Sequence, residues 1–167
     1  MRPGTLPWWA GKARQLLAHV RAQVSVAERS ALSDWVSEAQ VNLFDAMTVA
    51  DQRHGLDVVA ALRCDGIADP DVLVAGLLHD AGKGATGAFP RVLHSLGQAF
   101  GPWLVTGMAR LPRLAVPLTR LAEHPERSAA MAAAAGCSER TIELIRWQES
   151  PRDPEYGERL RLADEAN

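Results

Sequence analysis

The chain predicts an all-α domain, on three observations. Helix formers dominate, the only β-type alternation is too short to build a sheet on, and N-cap residues recur ahead of apolar stripes at helical spacing. At 167 residues it is one domain with room for a sizeable core. A formal net charge of -2 argues against nucleic-acid binding by overall charge. Cys64 and Cys137 stand apart rather than in paired spacing, which suits a reducing compartment and points to the cytoplasm. Trp8-Trp9 is followed by Lys12, Arg14 and Arg21 among apolar residues, so the N-terminus lacks the continuous apolar stretch of a secretory signal. No apolar run reaches bilayer-spanning length.

Over residues 6–24, Leu16, Leu17, Val20 and Val24 recur at helical spacing between basic residues. This reads as a helix packed on the domain with a solvated basic face, or one that rests on a membrane surface or a partner. Ser25-Val26-Ala27-Glu28 is a capping box opening a second helix, with Leu32, Val36, Ala39 and Leu43 as its inner stripe. Residues 1–47 are thus expected to be N-terminal helices packed on the core. Thr48 caps the next helix, which runs to about Arg63 and is broken by Cys64-Asp65-Gly66. On it His54 shares a face with Val58 and Ala61, so His54 points inward, as a hydrogen-bonded core residue or as a ligand.

Asp69-Pro70-Asp71 starts a helix too apolar for the surface, with Asp69 as N-cap, Pro70 at the first helical position, and Val72, Leu73, Ala75, Leu77 and Leu78 along it. It finishes in His79-Asp80, and Gly82 and Gly84 are expected to terminate it. A buried helix end that sets an imidazole beside a carboxylate carries a desolvation cost that a metal or hydrogen-bond partners must offset.

Between Asp80 and Glu123 there is no acidic residue, whereas Lys83, Arg91, Arg110, Arg113 and Arg120 are present. Pro90, Gly97, Gly101-Pro102, Gly107, Pro112 and Pro117 divide this region into short helices or turns, with Phe100, Trp103, Leu104, Val105 and Met108 as apolar surface. It reads as a solvated basic surface over a packed sub-core, or as a phosphate-attracting rim or lid. His124-Pro125-Glu126 begins an alanine-rich helix to Ala135 that ends at Gly136. Ser138 caps a helix through Ile142, Ile145 and Trp147, stopping at Ser150-Pro151. Asp153-Pro154-Glu155 starts the last helix, where Tyr156, Leu160 and Asp164 recur every four residues, so Asp164 points inward with Leu160.

The inward polar residues are therefore His54, His79, Asp80, His124 and Asp164. A mixed imidazole and carboxylate set suits a divalent transition metal (Mn, Fe, Co, Ni or Zn), or Mg as the oxygen share grows. In order and context these residues resemble the HD-domain superfamily of metal-dependent phosphohydrolases: His54 in Asp51-Gln52-Arg53-His54, the His79-Asp80 pair followed by Ala81-Gly82-Lys83, and Asp164 in Leu162-Ala163-Asp164. The resemblance covers residues 48–166 and implies an HD domain over 48–167, a helical bundle with a metal site between core helices.

The resemblance further implies His54, His79, Asp80 and Asp164 as metal ligands, with Asp80, Lys83 and His124 in the catalytic machinery. Members with a second metal carry two more histidines. His124, in Glu123-His124-Pro125-Glu126-Arg127, matches one, but Gln148 stands where the other is expected, which weakens a second site built from His124 and Gln148. Glu149 is a substitute one residue further on. The expected activity is hydrolysis of a phosphomonoester or phosphodiester, on a nucleotide-like small molecule, with a metal-activated water. Lys83, and with less support Arg53, could neutralise phosphate charge. His124 would be a ligand, a substrate contact or the leaving-group acid.

Two alternatives stand: a ligand-binding or regulatory domain on the same fold without catalysis, and a di-iron oxygenase, which needs both metals. His19 and His94 match nothing and are expected at the surface, phosphate-cradling glycine motifs are absent, and segment 88–121 is the expected chooser of substrate. Trp8-Trp9 and Trp103 are candidate homodimer contacts or core residues.

Overall fold

A computed structural model describes residues 22–86 and 112–167, together with Leu96, Gly101, Trp103 and Gly107. The expected helix over 6–24, and the readings of His19, Arg91, His94 and Arg110, lie outside or almost outside these residues. All regular structure among the described residues is helical, with eight helices and no strand. They are α1 (Val26–Leu32), α2 (Glu38–Asp45), α3 (Val49–Cys64), α4 (Pro70–Leu78), α5 (Pro112–Ala122), α6 (His124–Ala134), α7 (Glu139–Arg146) and α8 (Gly157–Ala166). No helix among them is long and apolar enough to cross a membrane.

The α4 helix is the axis of the bundle. Asp69 accepts the Asp71 N–H at its start, Pro70 occupies the first turn, and every residue from Val72 to Leu78 is buried. A helix apolar on all sides must be surrounded. Helices α3, α7 and α8 pack around it, and α2 touches it as well. The closest approach is to α3: a Cβ on Gly55 would stand 2.4 Å from the Leu77 carbonyl oxygen, so only glycine lets the two backbones come this near. Val58, Leu62, Leu77, Leu78, Ile145 and Leu160 fill the centre. Burying a side chain of this size contributes about 1.5–3 kcal/mol.

The segment after Ser25 departs from expectation. The Ser25/Glu28 capping box forms, but α1 ends at Leu32, and a second capping box, Ser37 with Gln40, opens α2. Ala39 is therefore exposed and Leu43 only half-buried. The inner face is instead built from Leu32, Val36, Val41, Phe44 and Met47, which join the same core as α3 and α4. Arg53 ties α1 to α3, pairing with Glu28 at 2.5 Å and with Asp57 at 2.9 Å.

The last helix begins later than its sequence suggests. Asp153 accepts the N–H groups of Glu155 and Tyr156, holding a turn ahead of Gly157. Arg140, near the start of α7, bonds Asp69 at 2.9 Å and Asp153 at 3.1 Å, so one guanidinium fixes the beginnings of α4 and α8 together. Trp103 is exposed rather than part of the core.

Candidate metal centre

Four helices converge on one cluster, buried at His79, Asp80 and His124 and partly exposed at His54 and Asp164. His54 comes from the second turn of α3, His79 from the C-cap of α4 with Asp80 after it, His124 from the first position of α6, and Asp164 from α8. His54 Nε2 lies 2.8 Å from Asp164 Oδ1 and 3.9 Å from Asp80 Oδ2. His79 Nε2 lies 3.3 Å from Asp80 Oδ1 and 3.4 Å from Asp164 Oδ1. His124 Nε2 is 3.7 Å from Asp80 Oδ1. The His54 and His79 rings meet edge to face, 5.2 Å between centroids.

Backbone carbonyls select the tautomers. His79 Nδ1 is 2.9 Å from the Gly76 oxygen, and His124 Nδ1 is 2.6 Å from the Leu121 oxygen. A carbonyl only accepts, so each Nδ1 carries the proton and each Nε2 is turned toward the carboxylates. Metal-binding histidines are commonly held by this type of outer hydrogen bond.

His79 Nε2 and Asp80 Oδ1 are buried without a hydrogen-bond partner. Neither that 3.3 Å approach nor the 3.4 Å one of His79 Nε2 to Asp164 Oδ1 is aligned as a hydrogen bond, so both atoms are held by charge without the directed partner that burial normally requires. His54, His79 and Asp164 offer ligand atoms all within 4.8 Å of one another, and Asp80 stands against this trio.

Electrostatics describe a site that draws positive charge. Burial alone would lower the His79 imidazolium, but Asp80 and Asp164 overcome it and hold the group up at about 9. Burial would raise Asp80 and Asp164; their histidines, and for Asp80 also Lys83, hold both below the ordinary carboxylate range. Lys83 Nζ donates to Asp80 Oδ2 at 2.5 Å. Burial opposes its charge, but Asp80, Asp164 and Asp51 raise it. His124 differs: burial and the nearby Lys83 charge push it down to about 4, leaving it neutral at pH 7. That state suits a ligand or proton acceptor, whereas a leaving-group acid would first have to gain a proton.

Of the sequence-derived residues, the structure brings together His54, His79, Asp80, Lys83, His124 and Asp164. Arg53 is engaged by Glu28 and Asp57. The Gln148 side chain is buried beside the cluster, its Nε2 donating to the His79 main-chain oxygen at 3.2 Å, while Glu149 is exposed at the edge.

Neither glycine terminates α4, which ends at Leu78 with His79 as C-cap; Gly84 takes left-handed geometry, at φ +60, only after the turns that follow. Gly82 is instead a contact point, since a Cβ there would meet the His124 oxygen and the Ser128 nitrogen, each at 2.7 Å. Two contributors escaped sequence reasoning. Ser128, a polar residue on the small-residue face of α6, accepts the Gly82 N–H at 2.8 Å. Asp51, in the first turn of α3, is 3% exposed, and its charge is felt by Lys83. The signal for Ser128 was a lone hydroxyl in an alanine run.

Comparison with protein-family models, with curated proteins and with solved structures returns no match to this chain.

Proposed function

We propose that the chain is a metal-dependent phosphohydrolase of the HD-domain type, acting on a small phosphorylated molecule. The observation that carries the reading is the orphaned pair His79 Nε2 and Asp80 Oδ1, set beside His54 and Asp164, whose ligand atoms lie with that of His79 within 4.8 Å of one another. A divalent cation fits this donor set and would be held by His54, His79, Asp80 and Asp164. When bound, it supplies Lewis-acid polarisation of a phosphoryl oxygen and a water acidic enough to attack near neutral pH.

The chain's own groups prepare the rest. The Gly76 and Leu121 carbonyls keep a proton on Nδ1 of His79 and His124, so Nε2 is the atom each offers; His124 Nε2 is already unprotonated, and His79 would release its Nε2 proton on binding a cation. Lys83 balances part of the carboxylate charge and stands where it can meet negative charge developing on a phosphoryl group. Arg120 reaches the same turn, its Nη1 2.8 Å from where a Cβ on Gly84 would be. Two neighbouring cations on a stretch without acids favour an anionic substrate.

Release of phosphate from a panel of nucleotides and phosphoesters, with Mn, Mg, Co or Ni added, tests the reading. Metal-stimulated release that disappears in Asp80→Ala supports it, and release that persists in that variant refutes it. A binding domain without catalysis is the second reading, favoured by the Lys83 ammonium already seated on Asp80 Oδ2. An inactive protein that takes up no metal would support it.

A further inference from the structure

The end of α4 is shaped by two side chains from neighbouring segments, Ser128 on α6 and Gln148 in the turn after α7. Past Leu78, the N–H groups that could have closed on the His79 carbonyl go elsewhere: Gly82 donates to Ser128 Oγ at 2.8 Å, and Lys83 donates to the Asp80 oxygen at 3.0 Å. A helix end leaves such carbonyls without an internal donor, and a buried one requires a partner from outside. Gln148, buried just past α7, supplies it through Nε2 at 3.2 Å. Because a carbonyl cannot donate, this contact decides which end of the amide faces His79: the NH2 group points at the main chain.

We propose that Gln148 is a positioning residue for the metal centre, one that fixes the His79 main chain and thereby the aim of Nε2, and that it is not itself a ligand. The proposal rests on the functional reading above. Its geometry is that of a strut with two anchors on one residue, since the His79 ring is already held through Nδ1 by Gly76 and the Gln148 amide holds the same residue's carbonyl. Ring and backbone are therefore both pinned, which leaves Nε2 one direction to face. Outer partners of ligand residues of this kind change metal affinity by about 10–100-fold when removed. A histidine at position 148 could present an imidazole lone pair to a metal, whereas the amide is oriented by its donor and offers only a neutral oxygen, a weaker ligand for a transition metal. A mononuclear centre follows, with His124 facing Asp80.

The test uses the full chain, loaded with Co2+, in wild type, Gln148→Met and Gln148→Leu. Both variants lose the donor without adding a ligand oxygen, and the second, branched and stiffer, serves if the first fails to fold. The expected result is one Co2+ per chain in all three, with affinity weakened about 10–100-fold and an altered visible Co2+ spectrum in both variants. A fall from two metals in the wild type to one in the variants would make Gln148 a ligand and overturn the proposal, as would unchanged affinity and spectrum. The His79 ring resonances of the metal-free protein give a readout independent of loading. They are expected to shift in both variants, and unmoved resonances would overturn the proposal. Wild-type protein that binds no Co2+ would refute the phosphohydrolase reading, while the resonances still judge the strut.

Discussion

The two buried histidines give the metal-free protein opposite responses to pH. Burial alone lowers His79, yet Asp80 and Asp164 hold it at about 9 against an ordinary 6.5. A histidine raised in the folded state contributes stability that is complete below pH 6.5 and lost as pH climbs through 9. That gap, at about 1.4 kcal/mol per pH unit, is worth about 3 kcal/mol.

His124 works in the other direction, because burial, aided by Lys83, lowers it from 6.5 to about 4. The unfolded chain takes up this proton near 6.5 and the folded one refuses it until about 4, so stability falls by about 3 kcal/mol as pH drops through that window. The chelated protein should therefore be most stable near pH 6.5. Urea unfolding at pH 4.5, 6.5 and 9.5 measures both limbs. Glu149, raised by desolvation, opposes the acid limb, so comparison with His124→Gln isolates the histidine there. On the alkaline side, His79→Gln should remove most of the decline, leaving the smaller share of Cys137, whose thiol is held above its ordinary range by burial. A decline of undiminished size in His79→Gln would refute the assignment of that limb to His79 and its carboxylates.

Three other outcomes are expected. Gly82→Ala drives a Cβ into two backbone atoms at 2.7 Å and should cost about 1–3 kcal/mol in urea melts, more than Gly76→Ala, whose nearest obstacle is the yielding Leu62 side chain at 2.9 Å. Ser37→Ala removes the cap that separates α2 from α1 and should cost about 1 kcal/mol, again read by urea unfolding. Lys83→Met frees Asp80 from its internal cation, so metal should bind more tightly by calorimetry while phosphate release falls by about 10²-fold, the pattern of a group that stabilises charge in the transition state.

The helical framework was legible because its signals are local. Thr48, Asp69 and Ser138 each cap the helix expected of them, and Gly136 ends α6 at φ +73. Periodicity also pointed His54 and Asp164 inward, since Val58 and Leu160 on the same faces are buried. The break at residues 33–36 was missed because the apolar spacing of Leu32 and Val36 continues across it while the Ser37/Gln40 capping box restarts the chain on a new axis. Gly82 was misread because glycine serves both left-handed turns and close backbone contacts, and only the approach of α6 separates the two. The partners of Gln148 and Ser128 are 69 and 46 residues away in sequence, beyond any periodic signal.

Metal content per chain, by elemental analysis of protein purified without chelators and after reconstitution, tests the metal centre most directly when compared with His79→Ala. One divalent metal in the wild type and none in the variant is the predicted result. No metal in the wild type even after reconstitution, or the same content in both proteins, would contradict it.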